Sequence, residues 1–399
     1  MSTLHQSDII PFKADSSLNS PSAHTVKEHS SLRGFINLKK IVIKVGTRVL
    51  TKDGCLEESQ IKNISDQIKW LVKKGIKVIL VSSGAIGAGM GILGFKKKRD
   101  LLPFQQGLAA VGQNELMNKY SRFLRPNLTA QILLTREDLN QRQRYLNVHS
   151  SISTLWQWNV VPIINENDSV STEEIKFGDN DQLAALVANL ISADLLLILS
   201  DVDGLYSFNG KVVPTVEKVT PAIEKMAFKE KGSLTQGGMA SKIQAAKIAT
   251  ESGIPTVIAS GREKRIIEKI INGEEKGTLF LPCQKRLKAR KRWIGFSSLP
   301  RGSVIIDEGA KEALIKKGKS LLSSGIIEVN GKFKIGDVVR ILDEDKKELG
   351  RGLINYSSEE VRKIKGLKSN QIEEKLGYKD YEEVIHRDNL YCRAGEESE

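Results

Sequence analysis

The chain has 399 residues, 40% of them apolar, with 61 Lys and Arg against 48 Asp and Glu, a formal net charge of +13. That length predicts two domains rather than one, and the apolar share is too high for a disordered chain. The three cysteines, Cys55, Cys283 and Cys392, are odd in number and far apart, which fits neither a disulfide scaffold nor a zinc cluster and suits a reducing, cytoplasmic setting.

Residues 1–38 hold eight serines in the first 31 positions, balanced charge and no apolar core. They read as a disordered N-terminal extension rather than a secretory or transit signal. From Lys39 short β-branched runs alternate with amphipathic stretches. KKIVIKV (39–45) reads as a buried strand, and QIKNISDQIKWLVKKG as a helix ending at Gly75. Further strands are expected at IKVILVS (76–82), QILLT (131–135), VVPII (160–164), DLLLILS (194–200) and IPTVIAS (254–260). Near-continuously apolar strands alternating with helices predict an α/β fold, a mainly parallel sheet covered on both faces. The longest wholly aliphatic run, Leu195 to Leu199, is too short to span a bilayer, so no membrane partner is expected.

The rhythm stops near Phe280. A basic linker (285–292) follows, with six Lys and Arg and no acid. GSVIIDEGA, GIIEVNG and GDVVRILD then read as short strands between Gly and Asn-Gly turns, predicting a small β-rich domain over 293–365 and a charged, partly ordered tail over 366–399. No GxxxxGK followed by Ser or Thr is present.

In a parallel sheet, ligands bind beyond the carboxyl ends of the strands. Lys44 stands at the end of the first strand with Gly46-Thr47 behind it, where a lysine and glycine-exposed N–H groups suit phosphoryl oxygens; a surface lysine before an ordinary turn is the alternative. SSGAIGAGMGILG (82–94) suits an anion at a helix start, or equally close helix packing. INENDSVSTEEIKFGDND (164–181) gathers six carboxylates and three asparagines against one lysine. Turns and helix caps account for one or two of these residues; the rest suit a substrate carrying an ammonium group. TQGGMASK (235–242) opens a helix and puts Lys242 in its first turns, an unfavourable place for a cation by a few tenths of a kcal/mol unless an anion lies there too.

KVGTRVL, VSSGAIGAGM, QILLTREDL, VVPIINENDSV, IKFGDNDQLAALVA, LSDVDGLY and GGMASK occur in the order found in the glutamate 5-kinases of the amino acid kinase superfamily. The resemblance covers roughly residues 39–280 and continues through RKRWIGF and IIDEGAKEAL into what looks like that family's C-terminal PUA domain. It implies a three-layer αβα kinase domain over residues 39–284 and ATP-dependent phosphorylation, with Mg2+, of the side-chain carboxylate of L-glutamate, the first step of proline synthesis. Carried over position by position, it makes Lys44, Lys242 and Asp181 catalytic, and Ser83, Asp168 and Asn180 glutamate-binding. It gives Lys44, Ser200, Asp201, Gln236, Gly237, Gly238, Met239, Ala240, Ser241 and Lys242 to ATP, and assigns no residue to a metal. It also implies a homo-oligomer, feedback inhibition by proline, hand-over to glutamate-5-semialdehyde dehydrogenase and RNA contact through the PUA-like domain.

Two departures from the pattern stand out. Thr235 and Gln236 occupy the positions where the family has Gly-Thr, and Ser241 replaces a threonine while keeping the hydroxyl. The nearest rivals, acetylglutamate kinase and aspartokinase, lack the SSGAIGAG run and the appended domain. A mainly RNA-binding role finds little support in charge. Residues 285–399 hold 25 Lys and Arg against 20 Asp and Glu, so the basic excess is not concentrated there. Because every proposed ligand lies at or before Lys242, the C-terminal region is expected to be dispensable for the chemistry itself.

Overall fold

A computed structural model describes residues 35, 37–52, 54–97, 101–171, 180–227, 238–283 and 287–392. Most of the proposed N-terminal extension lies outside them, as do Glu173, Glu174 and Asp179 of the acidic loop, and Gln236 and Gly237.

The strands expected from the sequence are present. In chain order the first part of the chain forms β1 (Lys40–Val45), β2 (Thr51–Lys52), β3 (Cys55–Leu56), β4 (Lys77–Ser82), β5 (Thr129–Leu134), β6 (Val161–Glu166), β7 (Leu195–Ser200), β8 (Thr215–Val216), β9 (Thr256–Ser260) and β10 (Thr278–Phe280). Among the described residues β2 and β3 pair only with each other, and the other eight form one sheet in the order β5-β6-β4-β1-β7-β9-β10-β8. Neighbours from β5 to β9 are parallel, and β10 runs antiparallel to β9. From β1 the chain moves to β4 on one side; after β6 it crosses to β7 on the other. Such a switch opens a crevice at the carboxyl ends of the central strands.

Strand alternation assigns each side chain to a helical layer. Ile41, Ile43 and Val45 pack on the layer that holds the Glu58–Lys73, Leu102–Leu124 and Ile266–Ile271 helices. Val42 packs on the other, with the Arg142–Gln157, Asn180–Ile191 and Met239–Glu251 helices. This is the three-layer αβα arrangement. Parity therefore sends Lys44 to the same face as Val42, towards the last two of those helices.

The glycine-rich run forms the Ala85–Leu93 helix, capped by Gly84 and Gly94 at positive φ, and Gly89 within it serves packing. A Cβ on Gly89 would lie 2.0 Å from Leu108 O, and one on Gly112 1.9 Å from Ala85 O, so the Leu102–Leu124 helix crosses it with backbones almost touching.

The second sheet runs β12-β11-β13-β14-β15, from β11 (Gly302–Ile306), β12 (Ile326–Gly331), β13 (Val338–Leu342), β14 (Glu348–Leu353) and β15 (Leu390–Cys392). It has its own core, which includes Val304, Ile306, Val339, Ile341, Tyr356 and Ile364. Two expectations shift here. The region after residue 365, read as a tail, supplies β15, which pairs with β14. The basic stretch is also more than a linker, since Arg292 is buried; and Trp293 and Ile294, expected at the start of the small domain, join Val338 and Tyr391 in the core of the first unit. Among the described residues no helix is long and apolar enough to cross a membrane.

Candidate active site

The carboxyl ends of β1, β4, β6 and β7 and the starts of two helices converge on one place. Asp181 is the second residue of the Asn180–Ile191 helix, and Lys242 the fourth of the Met239–Glu251 helix. The Asp181 carboxylate bridges two ammonium groups, with Lys44 Nζ 2.5 Å from Oδ1 and Lys242 Nζ 3.1 Å from Oδ2. All three side chains are buried, with relative exposures of 2% for Lys44, 7% for Lys242 and 0% for Asp181. The anion that the position of Lys242 called for is thus, in the first instance, Asp181. Two helix N-termini and two ammonium groups meet at this carboxylate, and both kinds of positive end favour an incoming anion.

Around the triad the proposed nucleotide residues divide. Gly238 caps the helix in extended conformation. The Met239 side chain lies in the hydrophobic core with Ala240 packed beside it, which leaves their backbone for a ligand. The buried Ser241 Oγ has no hydrogen-bond partner among the described residues, a hydroxyl suited to a phosphate oxygen next to Lys242. At the end of β7, Ser200 Oγ donates to Asp201 Oδ1 at 3.1 Å, and Arg48 Nη1 reaches Asp201 Oδ2 at 3.2 Å. Burial pushes the Asp201 carboxyl up, but Arg48, backbone N–H and Ser200 outweigh it and hold the group below its ordinary value. The Gly46 amide donates to Leu199 O at 3.1 Å, joining β1 to β7.

The proposed substrate residues are tied together by amides. Asn180 Nδ2 donates to Ser83 Oγ at 3.0 Å, to Ser82 O at 3.2 Å and to Asn165 Oδ1 at 2.8 Å. Asn165 Nδ2 in turn donates to Gln113 Oε1 at 2.8 Å. Gln113 also lines a cavity of about 310 Å³ with Asn114, Gln131, Glu166, Asn167 and Asp168, at the lower end of the range usual for small-ligand sites. The structure thereby brings Asp168, Asn180 and Ser83 to one region through two residues that the sequence reading gave no role, Gln113 and Asn165. Asn165 was legible only as one asparagine in a polar run, and Gln113 lies inside a helix with no local signal. Glu166, counted among the loop carboxylates, is buried and accepts from Ser171 Oγ at 3.1 Å. Among the described residues no group of three or more His, Cys, Asp or Glu could hold a metal ion.

A mainly parallel sheet with a cationic crevice is what the likeness to amino acid kinases implied, and the family profiles and sequence relatives agree. The profile of the amino acid kinase family matches residues 39–260, and that of the PUA domain residues 302–376. A glutamate 5-kinase from Thermoanaerobacter sp. (strain X514) is 49% identical over 360 residues, 88% of this chain and 97% of its own. One from Syntrophus aciditrophicus (strain SB) is 46% identical over 362 residues, 89% of this chain and 94% of its own. The solved structure of a Giardia carbamate kinase is similar over 62% of this chain and 100% of its own, at 20% identity and a TM-score of 0.43. This chain belongs to the amino acid kinase family and, within it, to the glutamate 5-kinases.

Proposed function

We propose that the protein transfers the γ-phosphoryl group of ATP, bound as its magnesium complex, to the side-chain carboxylate of L-glutamate, giving L-glutamyl 5-phosphate and ADP at the head of proline synthesis. The observation that carries this reading is the buried Lys44–Asp181–Lys242 bridge at the carboxyl end of the sheet. A glutamate carboxylate oxygen attacks the γ-phosphorus, the bond to the β–γ bridging oxygen breaks, and ADP leaves with that electron pair. The nucleophile is ionised at neutral pH, so no general base is needed.

The cost of the reaction is electrostatic, because two anions must approach. A unit charge pair at 4 Å and an effective dielectric of 20 interacts by about 4 kcal/mol, so two lysines aimed at the transferring group offset the repulsion. Asp181 fixes where their charges stand. Magnesium enters on the phosphate oxygens as part of the nucleotide substrate. Ser83, Asn180 and Asp168 are the glutamate contacts, and Ser200, Asp201, Ser241 and the Gln236–Lys242 segment the nucleotide contacts. Membership of the family supports a cytoplasmic homo-oligomer inhibited by proline, with its labile acyl phosphate handed to glutamate-5-semialdehyde dehydrogenase. It also supports RNA contact by the PUA domain.

Purified protein incubated with ATP, magnesium and hydroxylamine should form hydroxamate with glutamate, and little with aspartate or acetylglutamate. A preference for either rival would overturn the assignment.

Asp168 tests the acidic loop separately. A carboxylate there can hold the substrate ammonium by a charge-assisted bond, whereas a turn cap would contribute only about 1 kcal/mol of stability. Asn caps almost as well as Asp but carries no charge. Asp168→Asn should therefore keep the melting temperature and lower apparent glutamate affinity at least about tenfold, the loss of one charged hydrogen bond. Normal glutamate dependence in that variant would leave Asp168 as a cap.

A further inference from the structure

The residues assigned to the chemistry are mounted on two helices, and the C-terminal part of the chain holds both by their far ends. Asn180 and Asp181 open the Asn180–Ile191 helix. At its other end the buried Arg292 donates through Nε to Asn189 O at 3.1 Å, through Nη1 to Leu287 O at 2.5 Å, and through Nη2 to Ser192 Oγ. Ser192 has φ 55°, a left-handed turn that stops the helix where the guanidinium meets it. A cation at that end complements the helix dipole. Lys242 lies near the start of the Met239–Glu251 helix, and at the end of that helix Glu251 Oε2 accepts from Tyr391 OH of β15 at 3.4 Å.

A side-chain anchor at the far end matters because a helix is stiff along its axis. Twelve residues span about 18 Å; the Asn180–Ile191 helix is buried along nearly its whole length, and the Met239–Glu251 helix along the face that carries Lys242, Ile243, Ala246 and Ala249. An axial shift at the anchored end therefore carries Asp181 or Lys242 with it. Lys44 rides on β1, in the middle of the sheet, and stays where it is. The contacts within the triad are then set partly from behind the site.

We propose that Arg292 and, secondarily, Tyr391 are positioning residues through which the C-terminal region fixes the placement of the two helices and so the Lys44–Asp181–Lys242 geometry. This rests on the reading of that triad as the phosphoryl-transfer site. The C-terminal region, expected from the sequence to be dispensable for the chemistry, thereby becomes part of its support. A misplacement of about 1 Å costs roughly 100-fold in rate, and a fraction of that shift is what losing one anchor permits.

Arg292→Lys, which keeps the charge and loses the fork, should lower kcat about tenfold at a temperature far below its melting point. In an Asp181→Asn background the same change should cost nothing more, because residues acting through one group are not additive. Amide hydrogen exchange at Ala184–Leu186, in the middle of the helix and away from its anchored last turn, should quicken in Arg292→Lys. Tyr391→Phe should shift the same readouts in the same direction, by about twofold to threefold. A kcat for Arg292→Lys within twofold of the parent, effects that multiply in the double variant, or faster exchange confined to the last helical turn would each overturn the proposal. Exchange needs no turnover, so it judges the anchor even if the parent protein forms no glutamyl hydroxamate, a result that would instead count against the substrate reading.

Discussion

Lys242→Ala should lower turnover about 100- to 1000-fold, the loss expected for one preorganised electrostatic contact to a transferring group, with little change in apparent glutamate affinity. The Lys242 ammonium is buried and held 3.1 Å from Asp181 Oδ2, so its position is fixed before any ligand arrives. Its partner charge grows as the γ-phosphoryl group leaves ADP, and an interaction that strengthens only in the transition state appears in kcat rather than in KM. Steady-state kinetics with both substrates varied separates the two. Near-normal turnover with only a raised nucleotide requirement would reduce Lys242 to a binding residue.

Asp181→Asn should be comparably damaging, but by a different route. Asparagine keeps the shape and loses the charge, which leaves two buried ammonium groups facing a neutral amide. Breaking a buried ion pair on one side costs about 3–5 kcal/mol of stability, so the melting temperature should fall clearly. Turnover should fall at least about 100-fold, because Lys44 and Lys242 lose the group that sets their spacing. Nucleotide should partly repair the stability, since its phosphates supply the missing anion. Saturating MgATP should therefore raise the melting temperature of the variant more than that of the parent. Calorimetry with and without nucleotide, alongside kcat, tests both statements. An unchanged melting temperature with turnover within threefold of the parent would remove the organising role from Asp181.

The damage expected from these substitutions follows from burial, and burial is where the sequence stopped being informative. The sheet was legible because its strands are covered on both faces and so are continuously apolar, as in DLLLILS. Lys44 was legible because a lysine closes such a run, and Lys242 because a cation sits at a helix start.

Local pattern could not show that these two lysines share one carboxylate. Lys242 and Asp181 are 61 residues apart, and their meeting depends on strand order and on the side to which parity turns Lys44. The pairing of Gln113 with Asn165, 52 residues apart, was invisible for the same reason. Amides inside a helix and at a strand end carry no period; only the fold pairs them.

The small domain repeats the lesson. β14 contains Gly350, where a Cβ would stand 2.2 Å from Tyr391 O, so close strand pairing requires a residue that reads locally as a turn. Composition and periodicity determined the class of fold, the order of its elements and the cationic ends of two of them. The tertiary structure decided which charges share a site and which distant part of the chain holds that site in place, because both depend on contacts between residues far apart in sequence.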